Sequence, residues 1–180
     1  MIYLIGGVAR SGKTSIRKRL LNDYKISGLE TDSLRTLFEL SFPELGIHYQ
    51  NPPMLNARRM APFIESFIKS RFFFEDDFVL EGDCVTPDVA KKFGNDARVK
   101  SLFLGYPDIS FEEKMRQLLE KPEGWVKDAS RDDLQRKIKL FIDDSKIFKD
   151  LCAETNLPFI DVSDLRLDEV VAAALGTFHL

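Results

Sequence analysis

The chain has 180 residues, of which 44% are hydrophobic and 31% charged, and its formal net charge is -3. This composition predicts one folded domain over residues 1–180 and excludes a disordered chain. The mild acidity argues against a nucleic-acid-binding protein, and no apolar run approaches the length that crosses a membrane. Because the apolar N-terminal run ends in a glycine-rich loop, we expect no signal peptide. The two cysteines, Cys84 and Cys152, have no metal-binding spacing and suit a cytoplasmic protein.

Short apolar segments alternate with helical segments along the whole chain. The predicted strands are Ile2–Ile5, Ile26–Leu29, Phe78–Leu80, Val99–Leu104 and Pro158–Val162. Helices are predicted after a glycine-rich loop, near Asp32, over about 56–73, after Thr86, Ser110 and Ser130, and over Leu167–Leu175 with an end at Gly176. Phe72-Phe73-Phe74 is predicted to lie in the core. The alternation predicts an α/β fold in three layers with a five-stranded parallel sheet.

A glycine-rich motif lies between the first strand and the first helix. Gly7–Thr14 fits the pattern G-x-x-x-x-G-K-[ST], the P-loop motif in its expected strand–loop–helix context. The glycines let backbone N–H groups point inward around phosphate oxygens, and the helix N-terminus adds partial positive charge. The pattern predicts that Lys13 reaches the outer phosphates and Thr14 helps to hold magnesium. The predicted nucleotide-binding residues are Gly7, Ala9, Arg10, Ser11, Gly12, Lys13, Thr14 and Ser15.

Polar residues follow the second strand, at the sheet edge where ligands of such folds bind. Asp32 is a candidate to orient or deprotonate an acceptor hydroxyl, although it could also cap the next helix. Arg35 lies one helical turn later, so it could bind an anionic group of a substrate through its planar guanidinium. The alternative for Arg35 is an exposed helix arginine.

The third strand, Phe78–Leu80, ends in an acidic residue. Glu81 occupies the position expected of a carboxylate that helps to hold magnesium, usually through water. Asp83 competes for this role, and a solvated strand-end acid is the alternative for either residue.

Two irregular stretches interrupt the pattern. Residues of about 41–56 form a long insert on the substrate side, a kind of loop that is often functional. Arg58 and Arg59 follow it and could contact a charged substrate, or simply begin a solvated helix. Pro122 and Gly124 break the chain between two capped helices, so the stretch of about 120–130 is predicted to move.

These motifs resemble those of the P-loop small-molecule and nucleotide kinases, the adenylate-kinase-like group. Gly6–Thr14 carries the strongest likeness. Leu29–Leu34 looks like the strand-two acid of chloramphenicol phosphotransferase and zeta-toxin-type kinases, where the aspartate serves the acceptor hydroxyl. Val79–Gly82 is similar to the strand-three acid-glycine pair found also in 2-phosphoglycerate kinase-like proteins. The resemblance implies sheet order 2-3-1-4-5 and a mobile lid at about 120–130.

The sequence departs from this group at two places. Asp83-Cys84 stands where nucleoside monophosphate kinases usually carry Pro-Arg, which argues against a nucleotide acceptor. The lid stretch has no arginine of its own. The candidates for a catalytic lid cation are therefore Arg131, which follows the lid, and Arg116 on the preceding helix.

Together these features predict an ATP-dependent kinase that moves the γ-phosphoryl group to a small hydroxylated or anionic metabolite, with Mg2+ as cofactor. The predicted catalytic residues are Lys13, Asp32, and Arg131 or Arg116. The predicted metal ligands are Thr14 and Glu81, and the predicted acceptor contacts are Asp32, Arg35 and Arg58. A nucleotide-binding regulatory NTPase or switch is one alternative, although no guanine-binding Asn-Lys-x-Asp run is present, and a toxin-like kinase acting on a larger partner is another. We expect nucleotide and small-molecule partners, no nucleic acid or membrane, and a monomer or homodimer.

Overall fold

A parallel sheet of five strands in the order β2-β3-β1-β4-β5 forms the centre of the computed structural model, which describes residues 1–180. This order confirms the predicted fold. Each predicted strand is present, with bounds shifted by one or two residues: β1 Ile2–Gly7, β2 Ser27–Glu30, β3 Phe78–Glu81, β4 Val99–Gly105 and β5 Phe159–Asp161. Glu30 pairs in register with Glu81, and Ile5 also pairs with Glu81, so the carboxyl ends of three neighbouring strands meet at one edge.

Seven α-helices cover both faces of the sheet. They are α1 Lys13–Tyr24, α2 Thr31–Ser41, α3 Pro53–Arg71, α4 Pro87–Lys91, α5 Phe111–Glu120, α6 Arg131–Thr155 and α7 Leu167–Phe178. Side chains alternate along β1, as the pleat of a strand requires. Tyr3 and Ile5 pack with α1 and α7, whereas Ile2 and Leu4 pack in the larger core with α3, α4 and α6. No helix is both long and apolar enough to span a membrane.

Capping residues in the sequence predict the start of three helices correctly. The Thr86, Ser110 and Ser130 hydroxyls each accept a hydrogen bond from a backbone N–H in the first turn of the following helix. The predicted end at Gly176 is wrong, because α7 continues to Phe178. Both cysteines are free and buried in the larger core, as expected.

The three consecutive phenylalanines are not all in the core. Phe72 packs against the core, whereas Phe73 and Phe74 are exposed. The reason is that α3 ends at Arg71, so the run leaves the helix and its side chains no longer share the buried face. The Arg71 guanidinium instead lies over the ring of Phe74, 4.6 Å from its centroid.

The stretch of about 41–56 is partly ordered by its own contacts. A short 3-10 helix spans Pro43–Leu45, and Ile47 is fully buried beneath it. The buried amide of Asn56 donates a hydrogen bond to the His48 carbonyl at 2.7 Å and accepts one from the side chain of Asn51 at 3.0 Å. This network holds the loop close to the start of α3.

Candidate active site

The loop between β1 and α1 has the backbone that its glycines allow. Gly7 and Gly12 have φ angles of 122° and 98°, in a region that other residues rarely adopt. A Cβ atom on Gly7 would lie 1.9 Å from the Leu104 carbonyl oxygen, so no other residue fits beside β4. The loop therefore curls tightly before α1 begins at Lys13.

Lys13 lies inside the mouth of this loop. Its side chain is buried, and its Nζ donates a hydrogen bond to the Val8 carbonyl oxygen at 2.5 Å. The Ser11 hydroxyl donates to the same oxygen at 2.8 Å. No carboxylate lies within ion-pair distance of Lys13. A buried cation with only a carbonyl partner is suited to bind an anion such as phosphate.

Thr14 and Glu81 come together across the loop, as a metal site requires. The Thr14 hydroxyl lies 3.2 Å from Oε2 and 3.4 Å from Oε1 of Glu81. Both groups are hard oxygen donors of the kind that Mg2+ prefers. No cluster of three or more metal-binding side chains is present, so such an ion would also need phosphate and water ligands.

Burial and neighbouring cations shift the pKa of Glu81 in opposite directions. Burial raises the pKa of its carboxyl group, while Lys13, the Thr14 hydroxyl and Arg17 favour the ionised form. Arg17 Nε lies 3.6 Å from Glu81 Oε2, and its guanidinium also pairs with Glu30. Arg17 thus holds the Glu81 carboxylate near the carboxyl end of β2 through the two ion pairs.

Asp32 lies in the first turn of α2 and caps nothing. The N-cap residue of α2 is Glu30, and no side chain supplies a cap hydrogen bond. The capping alternative for Asp32 is therefore wrong. Its carboxylate is 63% exposed and lies 3.2 Å from Nη2 of Arg35, so it is free to accept a hydrogen bond from a ligand.

Arg35 is not the exposed helix arginine that was the alternative interpretation. Its side chain is only 11% exposed, and its Nη1 lies 3.4 Å from Oδ2 of Asp83. The guanidinium also lies over the ring of Tyr49, 5.3 Å from the centroid. Arg35 therefore joins α2, the strand-three end and the insert.

Two further acids lie next to this group. Burial, and then the charge of Asp32, raise the pKa of Asp83, whereas Arg35 lowers it. Asp144 of α6 is buried and has neither a hydrogen-bond nor an ion-pair partner. Burial and the nearby charge of Asp83 raise the pKa of Asp144 to about 6.

One cavity of about 190 Å³ lies between the phosphate loop and the acids that follow β2 and β3. Ala9, Arg10, Lys13 and Thr14 line it on the side of the phosphate loop, and Asp32, Glu81, Gly82, Asp83 and Trp125 line the other side. The cavity is thus lined by the phosphate loop, by two oxygen donors suited to a metal and by the exposed Asp32 carboxylate. This arrangement can position a nucleotide phosphate next to an acceptor hydroxyl.

The 120–130 stretch lies over the phosphate loop. Arg10 Nη2 donates a hydrogen bond to the Lys121 carbonyl at 2.8 Å, and Nη1 lies 3.6 Å from Oε2 of Glu123. Trp125 packs edge-on against Phe141 of α6 with ring centroids 6.0 Å apart. The loop and the stretch above it are therefore in direct contact through Arg10.

Several predicted residues lie away from the cavity. Arg116 is exposed on α5 and pairs with Glu113 and Glu120 of the same helix. Arg131 and Arg58 are exposed and line no part of the cavity. Ser15 instead lines a groove between α1 and α7. The roles predicted for these residues remain predictions.

Five residues at or near the site were not predicted from the sequence: Arg17, Asp144, Tyr49, Lys137 and Lys114. Arg17 could have been found from its place three residues after Thr14, which puts both on one side of α1. Asp144 lies at i+3 from Phe141 and i−4 from Phe148 on the apolar stripe of α6, where an acid is unexpected. No local pattern indicates the other three.

Lys137 and Tyr49 meet only through the tertiary fold. The Lys137 ammonium lies 4.3 Å from the Trp125 ring and 5.2 Å from the Tyr49 ring. Lys137 thus joins α6 to both the 120–130 stretch and the insert.

Lys114 contacts the phosphate loop from α5. It is buried, its Nζ donates to the Arg10 carbonyl at 3.3 Å, and burial lowers its pKa to about 8. The Tyr106 hydroxyl donates a hydrogen bond to the neighbouring Ala9 carbonyl at 2.7 Å, so both side chains bind backbone carbonyls of the phosphate loop.

Solved structures of small-molecule kinases share this architecture. The chain is similar to shikimate kinase from Bacteroides thetaiotaomicron, with 13% identity, a TM-score of 0.63, and coverage of 100% of this chain and 99% of the other. It is similar to a gluconokinase from Sinorhizobium meliloti 1021, with 16% identity, a TM-score of 0.63 and coverage of 98% and 90%. It is also similar to deoxyadenosine kinase from M. mycoides, with 10% identity, a TM-score of 0.57 and coverage of 99% of each chain.

The likeness extends over the whole chain but lies in the fold and not in the sequence. No protein-family model matches the chain, and no curated protein matches it significantly. The fold is that of the P-loop small-molecule kinases, which confirms at the level of fold the resemblance deduced from the motifs.

Proposed function

We propose that this protein is an ATP-dependent kinase that transfers the γ-phosphoryl group to a hydroxyl of a small metabolite. The observation that carries the proposal is that one cavity is lined by Lys13 and Thr14 on one side and by Asp32 on the other. A phosphate loop alone would suit any nucleotide-binding protein. The exposed Asp32 carboxylate in the same cavity adds what a transfer reaction needs, a group that positions the nucleophile.

The phosphate loop and Lys13 bind the nucleotide, and Asp32 binds the acceptor. The loop N–H groups and the Lys13 ammonium bind the phosphates and stabilise the negative charge that develops during transfer. An Asp32 carboxylate oxygen accepts the hydrogen bond of the acceptor hydroxyl and takes its proton as the phosphoryl group moves. Its exposure and its single ion pair leave an oxygen free for this contact.

Magnesium fits the donor set at the loop. The Thr14 hydroxyl and the Glu81 carboxylate would hold it, and when bound it neutralises charge on the nucleotide phosphates. Arg17 keeps the Glu81 carboxylate in position.

The 120–130 stretch acts as a lid, and the stretch of about 41–56 borders the acceptor side. Contacts of Arg10 with Lys121 and Glu123 support a lid that responds to a bound nucleotide, because Arg10 belongs to the loop that contacts phosphate. Closure of the lid would exclude water and bring a cation from Arg116 or Arg131 towards the phosphates.

The test is release of ADP from ATP and magnesium in the presence of a panel of hydroxylated metabolites, with the phosphorylated product identified by mass spectrometry. A kinase requires an acceptor for turnover. Slow hydrolysis that no acceptor accelerates would contradict the proposal and favour a regulatory NTPase. Calorimetric titration with ATP and magnesium serves as the control for nucleotide binding.

A further inference from the structure

We infer that the acceptor is a small polyhydroxylated molecule without an anionic group, either uncharged or carrying an ammonium group, such as a sugar, a cyclitol or an amino sugar. This inference rests on the proposed kinase function and narrows its acceptor. It follows from the charges that line the far side of the cavity and from the partners of Arg35.

Charge is distributed unevenly along the cavity. The cations that line it, Arg10 and Lys13, both belong to the phosphate loop. Beyond Glu81, the far side is lined by Asp32, Gly82, Asp83 and Trp125, with no lysine or arginine among them. A carboxylate or phosphate on the acceptor would therefore face two acids, while Arg35, the cation paired with both of them, does not line the cavity; this is unfavourable in a partly buried site.

Arg35 is the nearest candidate to neutralise such an anion, but its guanidinium already has partners. Nη2 lies 3.2 Å from Asp32 and Nη1 lies 3.4 Å from Asp83. Its planar face lies over Tyr49. An anionic acceptor would have to displace both carboxylates, and Asp83, whose side chain is only 16% exposed, would then be left without its counterion, which is costly for a buried charge. Arg35 therefore orients the two acids and does not bind the acceptor as a carboxylate clamp.

A third acid strengthens the negative character of this side. Asp144 is buried, has no partner in the protein, and lies close enough to Asp83 to interact with its charge. Carboxylates accept hydrogen bonds from hydroxyl and ammonium groups, and a protonated carboxyl group can also donate one. Asp32 and Asp83 line the cavity and suit a ligand with several hydroxyls, whereas Asp144 does not line the cavity and only adds negative charge near Asp83.

The remaining wall is aromatic. Trp125 lines the cavity with its indole, which offers an apolar face to the carbon skeleton of a ring. The Lys137 ammonium lies against this indole and against Tyr49, and it does not line the cavity. An aromatic surface facing acidic side chains matches a molecule with both apolar C–H faces and polar O–H or N–H edges.

The first experiment compares matched acceptors. Glucose, glucosamine and myo-inositol are tested against gluconate, glucuronate and glucose 6-phosphate, and kcat/KM is measured from ADP release with product identification. We expect the best acceptor to be uncharged or amino-bearing, with an advantage of about tenfold or more over its anionic counterparts. A preference for the anionic members would overturn the inference.

The second experiment tests Asp83 as the residue that sets this specificity. Asp83→Asn keeps the shape of the side chain but removes one negative charge and weakens the hold on Arg35. We expect the ratio of kcat/KM for the anionic acceptors to kcat/KM for the uncharged or amino-bearing acceptors to rise about tenfold. The change should come mainly from a lower KM for the anionic acceptors, and the affinity for ATP should not change. Asp88→Asn, an exposed acid at the start of α4, is the matched control and should leave the ratio as in the wild type.

The outcomes separate the inference from the proposed function. Transfer confined to anionic acceptors would overturn the acceptor class and leave the kinase intact. Absence of transfer to every acceptor, with ATP binding retained in calorimetry, would contradict both. If Asp83→Asn is too unstable to assay, Asp144→Asn reduces the same negative charge from α6 and should shift the ratio in the same direction. An unchanged ratio in a folded variant counts against the inference.

Discussion

The Thr14 hydroxyl lies 3.2 Å from a carboxylate oxygen of Glu81, which joins the first turn of α1 to the end of β3. The two residues are 67 positions apart in the chain. They meet because β1 and β3 are neighbours in the sheet and end at the same edge. Two oxygen donors at the mouth of a phosphate loop are what a magnesium ion bound to a nucleotide requires.

Substitution Glu81→Gln should weaken metal binding. The amide lacks the negative charge that attracts Mg2+, while Thr14 and the loop remain intact. We expect the magnesium concentration for half-maximal activity to rise about tenfold or more. A magnesium titration of activity, together with calorimetry of magnesium–ATP binding, measures the effect. Glu154→Gln on the exposed face of α6 is the control, and an unaltered magnesium dependence for Glu81→Gln would exclude Glu81 as a metal ligand.

Substitution Lys13→Ala should abolish turnover and leave the fold nearly intact. Lys13 makes its one hydrogen bond to a loop carbonyl, so its loss removes charge stabilisation and little packing. The expected fall in kcat is about a thousandfold. Thermal melting establishes that the variant is folded, and Lys18→Ala, an exposed lysine of the same helix, serves as the comparison. A folded Lys13→Ala protein with substantial acceptor-dependent activity would contradict the mechanism.

Substitution Asp32→Asn should separate nucleotide binding from transfer. The asparagine cannot take the proton of the acceptor hydroxyl, so kcat should fall about a hundredfold. ATP affinity measured by calorimetry should stay the same, because the phosphate loop is a different segment. The melting temperature should also change little, since Asp32 caps no helix. Loss of ATP binding with retained catalytic rate would show that the assigned role is wrong.

Asp144 should make stability depend on pH. Its pKa is raised to about 6, so the folded state binds its proton more tightly than the unfolded state. The ionised form therefore destabilises the fold, and this contribution lowers stability as pH rises from about 4 to 6. Asp144→Asn removes the charge and should raise the melting temperature at pH 8 by about 3 °C or more.

The control is the comparison of the melting temperatures of Asp144→Asn and the wild type at low pH. Near pH 4, Asp144 is protonated in the folded wild-type protein, so wild type and Asp144→Asn should melt at nearly the same temperature. A difference that does not grow between pH 4 and pH 8 would show that the Asp144 charge is compensated in the fold. Asp150→Asn, an exposed acid on the same helix, should show no such trend.

Trp125 should report movement of the proposed lid. It is the single tryptophan of the chain, it is half-buried, and it lines the cavity. If the lid closes over nucleotide, the indole becomes more buried and its emission moves to shorter wavelength. We expect a shift with magnesium and ATP and a larger one when acceptor is added. An unchanged spectrum at ligand concentrations that calorimetry shows to be saturating would argue that Trp125 does not belong to a closing lid.

Much of the fold could be predicted from local sequence. The sequence predicted each of the five strands to within two residues, even β2, which has few apolar residues, and the helices after Thr86, Ser110 and Ser130 begin where their caps indicate. The boundaries that failed lie where local signals compete with packing. Gly176 lacks the helix-breaking effect expected of it because α7 continues to pack, with Phe178 fully buried beyond it.

The sequence by itself determined the phosphate loop, because its glycines, lysine and threonine are consecutive and their geometry is local. It also indicated Asp32 and Glu81, since parallel strands bring their carboxyl ends to one edge. Only the tertiary structure decided that Arg35 is paired with both Asp32 and Asp83, that Asp144 lies buried beside them, and that Lys137 lies between Tyr49 and Trp125. These contacts join α2, α6, the insert and the 120–130 stretch, and their partners are set by packing over long sequence separations that no local pattern encodes.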